Sequence, residues 1–77
     1  MTFHPLDVVV LQTDQPAQGL KRGDLGAVVD VYAPDSIEVE FVTASGRTRA
    51  LVTLKASDIR EVGDDDLVAV RPTSRDA

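Results

Sequence analysis

The sequence predicts an all-β protein of five short strands followed by a C-terminal extension. Three observations carry that prediction: short valine-rich runs, boundaries made of Gly, Pro, Asp and Ser, and the near absence of a helical repeat. A chain of 77 residues has room for one domain, because chains below about 100 residues rarely divide into two cores. A domain of this size removes only about 60–65% of its unfolded surface from water, so its core is thin and support from a partner fits its size.

Composition narrows the function classes. The absence of Cys excludes disulfides, thiolate metal sites and Cys nucleophiles together. Thirteen acidic residues against eight basic ones give a net charge of -5, a field that repels polyanions and argues against generic nucleic-acid or anionic-membrane binding. No apolar run approaches the roughly 18 residues of a membrane span, and residues 1–6 have neither a basic nor an apolar leader segment. The expectation is a cytoplasmic chain.

Residues 7–12 (DVVVLQ) read as a first strand, apolar on both faces and so central or wrapped by a loop. Residues 13–23 form a long loop with Pro16, Gly19 and Gly23, pinned to the core by Leu20. Gly23 and Gly26 mark the turn into the second strand, 27–32, where at least one of them should have positive φ. A turn at 33–36 leads to 37–42 (IEVEFV), whose strict period of two separates Ile37, Val39 and Phe41 from Glu38, Glu40 and Val42.

A four-residue connection, 43–46, would set Glu40 opposite Arg49 and Val39 opposite Ala50. That register puts Thr48, Ala50 and Val52 inside, with Leu54 ending the fourth strand on the same face. It pairs Glu38 and Glu40 outside with Arg47 and Arg49, in ion pairs of a few tenths of a kcal/mol each. Residues 55–58 suit one 3₁₀ turn and 59–62 a closing strand. Five strands, a long loop after the first and a 3₁₀ turn before the last describe a small SH3-like barrel over residues 1–63. The expected core is Val9, Leu11, Leu20, Val29, Val31, Val39, Phe41, Val52, Leu54 and Ile59. Residues 64–77 are an acidic linker and tail, in which 67–70 (LVAV) is a strand signal that needs a sheet edge, on its own subunit or another chain.

The blocks Leu20-Lys21-Arg22-Gly23-Asp24-Leu25-Gly26-Ala27-Val28-Val29, Tyr32, Glu38-Val39-Glu40-Phe41 and Ala50-Leu51-Val52-Thr53-Leu54 resemble the small bacterial proteins grouped as DUF4926. The resemblance covers residues 7–62 and implies a partner-binding or neutralising role. Residues 21–29 bear a looser similarity to KOW modules, which implies an RNA or ribosome contact.

The remaining chemistry is sparse. His4 is the sole imidazole, and no nucleophile is placed beside it by the sequence, so it reads as a surface residue. Asp64, Asp65 and Asp66 lack the spacing of a calcium loop and read as a solvated linker. Lys21 and Arg22 with Arg47 and Arg49 form the densest basic group, without the interleaved aromatics of single-strand binders. Tyr32, at a strand end beside the long loop, reads as packed against that loop, with an interface role as the alternative. The sequence therefore reads as a protein-binding module, an accessory subunit or the neutralising, antitoxin- or immunity-like member of a gene pair. Leu20, Lys21, Arg22, Tyr32, Leu67, Val68 and Val70 are its candidate partner-binding residues. The partner is a protein, with a homo-oligomer as a second option. Catalytic residues, metal and cofactor are not expected, and a KOW-like RNA contact is the rival reading.

Overall fold

In the computed structural model, which describes residues 2–33 and 35–73, the apolar runs form five strands. They are β1 (Val8–Leu11), β2 (Leu25–Ala33), β3 (Ser36–Val42), β4 (Thr48–Lys55) and β5 (Ile59–Glu61). Pro34 and residues 74–77 lie outside the described residues, and part of the expected 33–36 turn and of the polar end falls on them. One antiparallel sheet holds all five strands in the order β4-β3-β2-β1-β5. The first four run as a meander, and β5 adds to the free side of β1.

The edge strands β4 and β5 are consecutive in the chain, joined by the 3₁₀ turn Ala56–Asp58. In a flat sheet they would stand about 19 Å apart, whereas the four residue steps from Lys55 to Ile59 reach at most about 14 Å. The sheet therefore rolls until its edges meet at that corner. No ladder joins β4 to β5 among the described residues. The long loop, with its own 3₁₀ turn Pro16–Gln18, crosses this gap instead. At one end the Gln12 amide donates to the Asp58 carbonyl at 2.7 Å. At the other, Gly19 lies against the Arg49 guanidinium of β4. Leu20 is buried and pins the loop, as its isolation among polar residues predicts. This architecture is compatible with the SH3-like description.

Every strand contributes to one core cluster: Val9 and Leu11, Val28, Ile37 with Val39 and Phe41, Leu54, and Ile59, joined by Leu20 and Phe3. Each such side chain contributes about 1.5–3 kcal/mol through burial. Two expectations about the core are corrected. Val29 and Val31 are exposed and Val28 is buried in their place. The expected phase put the odd-numbered Val29 and Val31 inside. The structure keeps Asp30 and Tyr32 outside while turning Val28 in, because the register against β3 shifts between Val28 and Asp30 and again between Val31 and Ala33. Each shift places an extra residue in β2, as a bulge does. Val52 is only partly buried.

The second correction concerns the β3–β4 hairpin. Glu40 faces Leu51 and Phe41 faces Ala50, two residues away from the expected pairing with Arg49. The connection spans 43–47, closed by the Thr43 amide on the Arg47 carbonyl at 2.8 Å, so it is one residue longer than expected. A further one-residue shift separates Phe41/Ala50 from Val42/Thr48. Two single-residue additions restore face parity, and so Ala50, Val52 and Leu54 point inward although every partner has changed. Thr48, expected inside, is exposed.

Residues 67–70 form no strand. The β5 edge offers only three residues, and Gly19 of the long loop lies against Arg49 of β4. The segment is instead tied at both ends. Arg60 donates two hydrogen bonds to Asp66 at 2.8 and 2.9 Å, and Arg71 donates two to Asp24 at 2.8 and 2.7 Å. Asp66 is thus a tether rather than a solvated spacer, and the chain between the two pairs forms a bow over the end of the sheet.

Candidate functional site

The outer face of the sheet departs from the polar surface expected of a small antiparallel domain. One ladder row crosses four strands as Val8, Ala27, Glu40 and Leu51. Val8, Val29, Val42 and Leu51 are all exposed, and Leu6 stands beside them at 86% exposure, its amide bonded to the Val28 carbonyl. Val10, also outward by alternation, is buried; its pair partner Arg60 anchors the bow through Asp66.

Three carboxylates are interspersed on this face, Asp30, Glu38 and Glu40, while Arg60 and, by alternation, Lys55 face the same way from β5 and the far end of β4. The expected guanidinium partners are absent because the register places Thr53 and Leu51 opposite the two glutamates. Among the described residues no cation lies within ion-pair distance of these carboxylates. They are held by hydroxyls, Tyr32 Oη donating to Glu38 at 2.6 Å and Thr48 Oγ1 donating to Glu40. Tyr32 is exposed and spends its hydroxyl on Glu38 rather than packing against the long loop, which corrects the expectation for its ring. That hydrogen bond to a carboxylate pushes the Tyr32 phenol up from its ordinary value.

Leu6 adopts φ of 76°, the left-handed conformation that costs a residue with a Cβ about 1–2 kcal/mol. It occupies the third position of a turn in which the Asp7 amide returns to the His4 carbonyl at 3.1 Å, a position suited to Gly or Asn. An exposed Leu held there stabilises nothing in the fold itself. Leu6→Asn is expected to raise stability by about 0.5–1 kcal/mol by relieving the strain, readable as an increased urea midpoint.

A concave feature lies at the end of the sheet, where the bow walls a crevice of about 450 Å³. Leu20, Leu25, Val42, Val68, Val70 and Arg49 contribute to its lining. Three candidates from the sequence, Leu20, Val68 and Val70, meet here. Lys21 and Arg22 flank it from the turn that precedes β2, both exposed, their amides bonded to Asp24 and Asp14. Leu67 is exposed on the bow outside the crevice, and Tyr32 stands on the sheet face away from it. The sequence reading omitted Leu6, Val8, Val29 and Leu51. The one usable signal is the first strand, apolar on both faces and so expected to be central or wrapped by a loop; it is flanked by β2 and β5.

His4 is brought beside Asp7, with Nδ1 3.8 Å from the carboxylate on a largely exposed ring. No group of three or more potential metal ligands occurs among the described residues, and no helix there is long and apolar enough to cross a membrane.

The tethers of the bow titrate. Hydrogen bonds from Arg60 and then from the Gly63 amide lower the Asp66 carboxyl to about 2. Burial alone would push Asp24 up, but hydrogen bonds from Arg71 and the Lys21 amide outweigh it and hold this carboxyl below its ordinary value. Both folded values lie below the unfolded Asp value of about 3.9, so the tethers are fully formed above that pH and are lost as pH falls through the folded values. Residues 67–70 are therefore expected to stay ordered at pH 5 and to gain nanosecond motion as pH falls from about 4 to about 2. Heteronuclear relaxation at the two ends of that range measures it.

The family model described as a domain of unknown function (DUF4926) matches residues 6–61. No curated protein and no solved structure matches.

Proposed function

This chain belongs to the DUF4926 family, and from that premise we propose that it is a protein-binding module whose docking surface is the outer face of its sheet. One observation carries the reading: exposed Leu6, Val8, Val29 and Leu51 share that face with Asp30, Glu38 and Glu40, carboxylates that no cation of the described residues neutralises. Apolar area supplies affinity, and uncompensated carboxylates select a basic surface on the partner and speed its approach. The strain at Leu6 supports the same reading, since cost retained at an exposed residue points to a role outside the fold. A small acidic protein that covers a basic partner suits an accessory or neutralising subunit rather than an enzyme. The rival RNA contact through Lys21 and Arg22 has weaker support, because the carboxylates of Asp24 and Asp14 accept from their backbone amides and the whole molecule carries -5.

Affinity capture on the full chain after nuclease treatment tests the proposal. The expected result is a basic protein retained by the wild type and by Val70→Ser, and lost with Glu40→Lys and with Leu51→Asp. Capture that disappears with nuclease, or that survives both sheet-face substitutions, overturns it.

A further inference from the structure

The bow and the crevice are complementary in a way the sheet face does not use. Leu67 and Val70 are 96% and 95% exposed, with Val68 and Ala69 exposed between them. Two bidentate Arg–Asp pairs nevertheless hold both ends of this segment. Ordering a chain costs conformational entropy, and ordering it with its apolar side chains in water gains no burial in return. Just ahead of them, Asp64 and Asp65 are exposed and have no cationic partner among the described residues.

The crevice presents the opposite character. Its wall is apolar at Leu20, Leu25 and Val42. Arg49 lies in the lining, against the backbone of Gly19, where a Cβ would collide with the guanidinium. Lys21 and Arg22 precede its Gly23 rim, and Arg47 is hydrogen-bonded through its backbone to Thr43 on the other rim. None of these four cations reaches a carboxylate within ion-pair distance among the described residues. In a chain of net charge -5, four cations without a carboxylate partner among the described residues thus surround one apolar crevice.

We propose that two copies of this chain associate reciprocally, each laying its bow on the other's crevice. Asp64 and Asp65 of one copy meet Arg49 and its neighbouring cations on the second, and Leu67 enters the apolar crevice. Both halves of the complementarity lie on one chain, which identifies the occupant as a second copy. Because the bow is itself a wall of its own crevice, a two-fold axis beside it brings each bow over the opposite crevice, and every contact is made twice. The association is closed and, although Val42 borders both surfaces, leaves Leu6, Val8, Val29 and Leu51 of the sheet face free, so it stands or falls independently of the docking proposed above.

Sedimentation equilibrium of the full chain at rising concentration up to about 1 mM tests this, the range in which weak self-association is read. The mass is expected to climb from 8.3 kDa toward twice that value, and to fall back with added salt. Arg49→Asp and Asp65→Lys should each remain monomeric alone, while an equimolar mixture regains the heavier species, since the swapped charges then pair at one site and the native charges at the other. Leu67→Ser combined with Val70→Ser should weaken association at least about tenfold with an unchanged melting temperature, because these side chains are almost wholly exposed in the monomer. A mass of 8.3 kDa throughout, a dimer insensitive to these substitutions, or no rescue in the mixture overturns the proposal.

Discussion

Phe41→Ala is expected to cost about 3–5 kcal/mol, the largest loss of any single substitution in this chain. Phe41 is the only aromatic residue of the strands in the core cluster, and near the end of β3 it joins Val39 in packing over Gly26. A domain without disulfides at this length has a total stability of about 3–5 kcal/mol, so the variant should be largely unfolded at room temperature. Phe41→Leu keeps most of the volume and should lose less, leaving a measurable cooperative transition. Urea titration followed by far-ultraviolet circular dichroism compares them. A loss below about 1 kcal/mol for the alanine variant would contradict the buried role.

The second large effect is expected at Gly26, and it separates two reasons for a glycine. Gly23 has φ of 97° with nothing within 4 Å of an added Cβ, so Gly23→Ala should cost about 1 kcal/mol, from backbone strain alone. Gly26 has ordinary extended geometry but no space: its Cβ would lie 2.6 Å from Val39 Cγ1 and 2.9 Å from Phe41 Cε2. The gain in strand propensity from Gly to Ala is a fraction of a kcal/mol, and the overpacking costs about 1–3 kcal/mol, so Gly26→Ala should destabilise more than Gly23→Ala. Val39→Ala in the same chain should recover part of that loss, with a coupling energy above about 0.5 kcal/mol. Additive losses in that cycle would remove steric contact as the cause.

The sequence disclosed the strands where alternation was clean and misread them where the chain carries an extra residue. Ile37, Val39 and Phe41 were legible because period two holds across the whole of β3. Val28 was not, because two shifts in β2 are backbone events with no residue-type signature: Val28, Val29 and Val31 are chemically alike, and only their pairing with β3 distinguishes them. The candidate site suffered from the same cause. Glu38 and Glu40 beside Arg47 and Arg49 made a self-neutralising surface on paper, whereas the offset of two places Leu51 and Thr53 there and leaves the carboxylates uncompensated. The C-terminal bow was illegible for a different reason. Its placement depends on Arg60–Asp66 and Arg71–Asp24, the second joining residues 47 apart in sequence, and charged pairs at that range leave no local pattern.

The hairpin between β3 and β4 also governs how this chain can change in length. Removing one residue from 43–47 would shift every side chain of β4 to the opposite face, sending Leu54 into water and Leu51 into the core, unless the one-residue shift beside Phe41 vanished or doubled in the same event. Deletions and insertions in this hairpin are therefore tolerable in twos, or singly with a compensating change in the bulge. Related chains should differ there by even steps, a parity constraint that follows from the geometry of one turn.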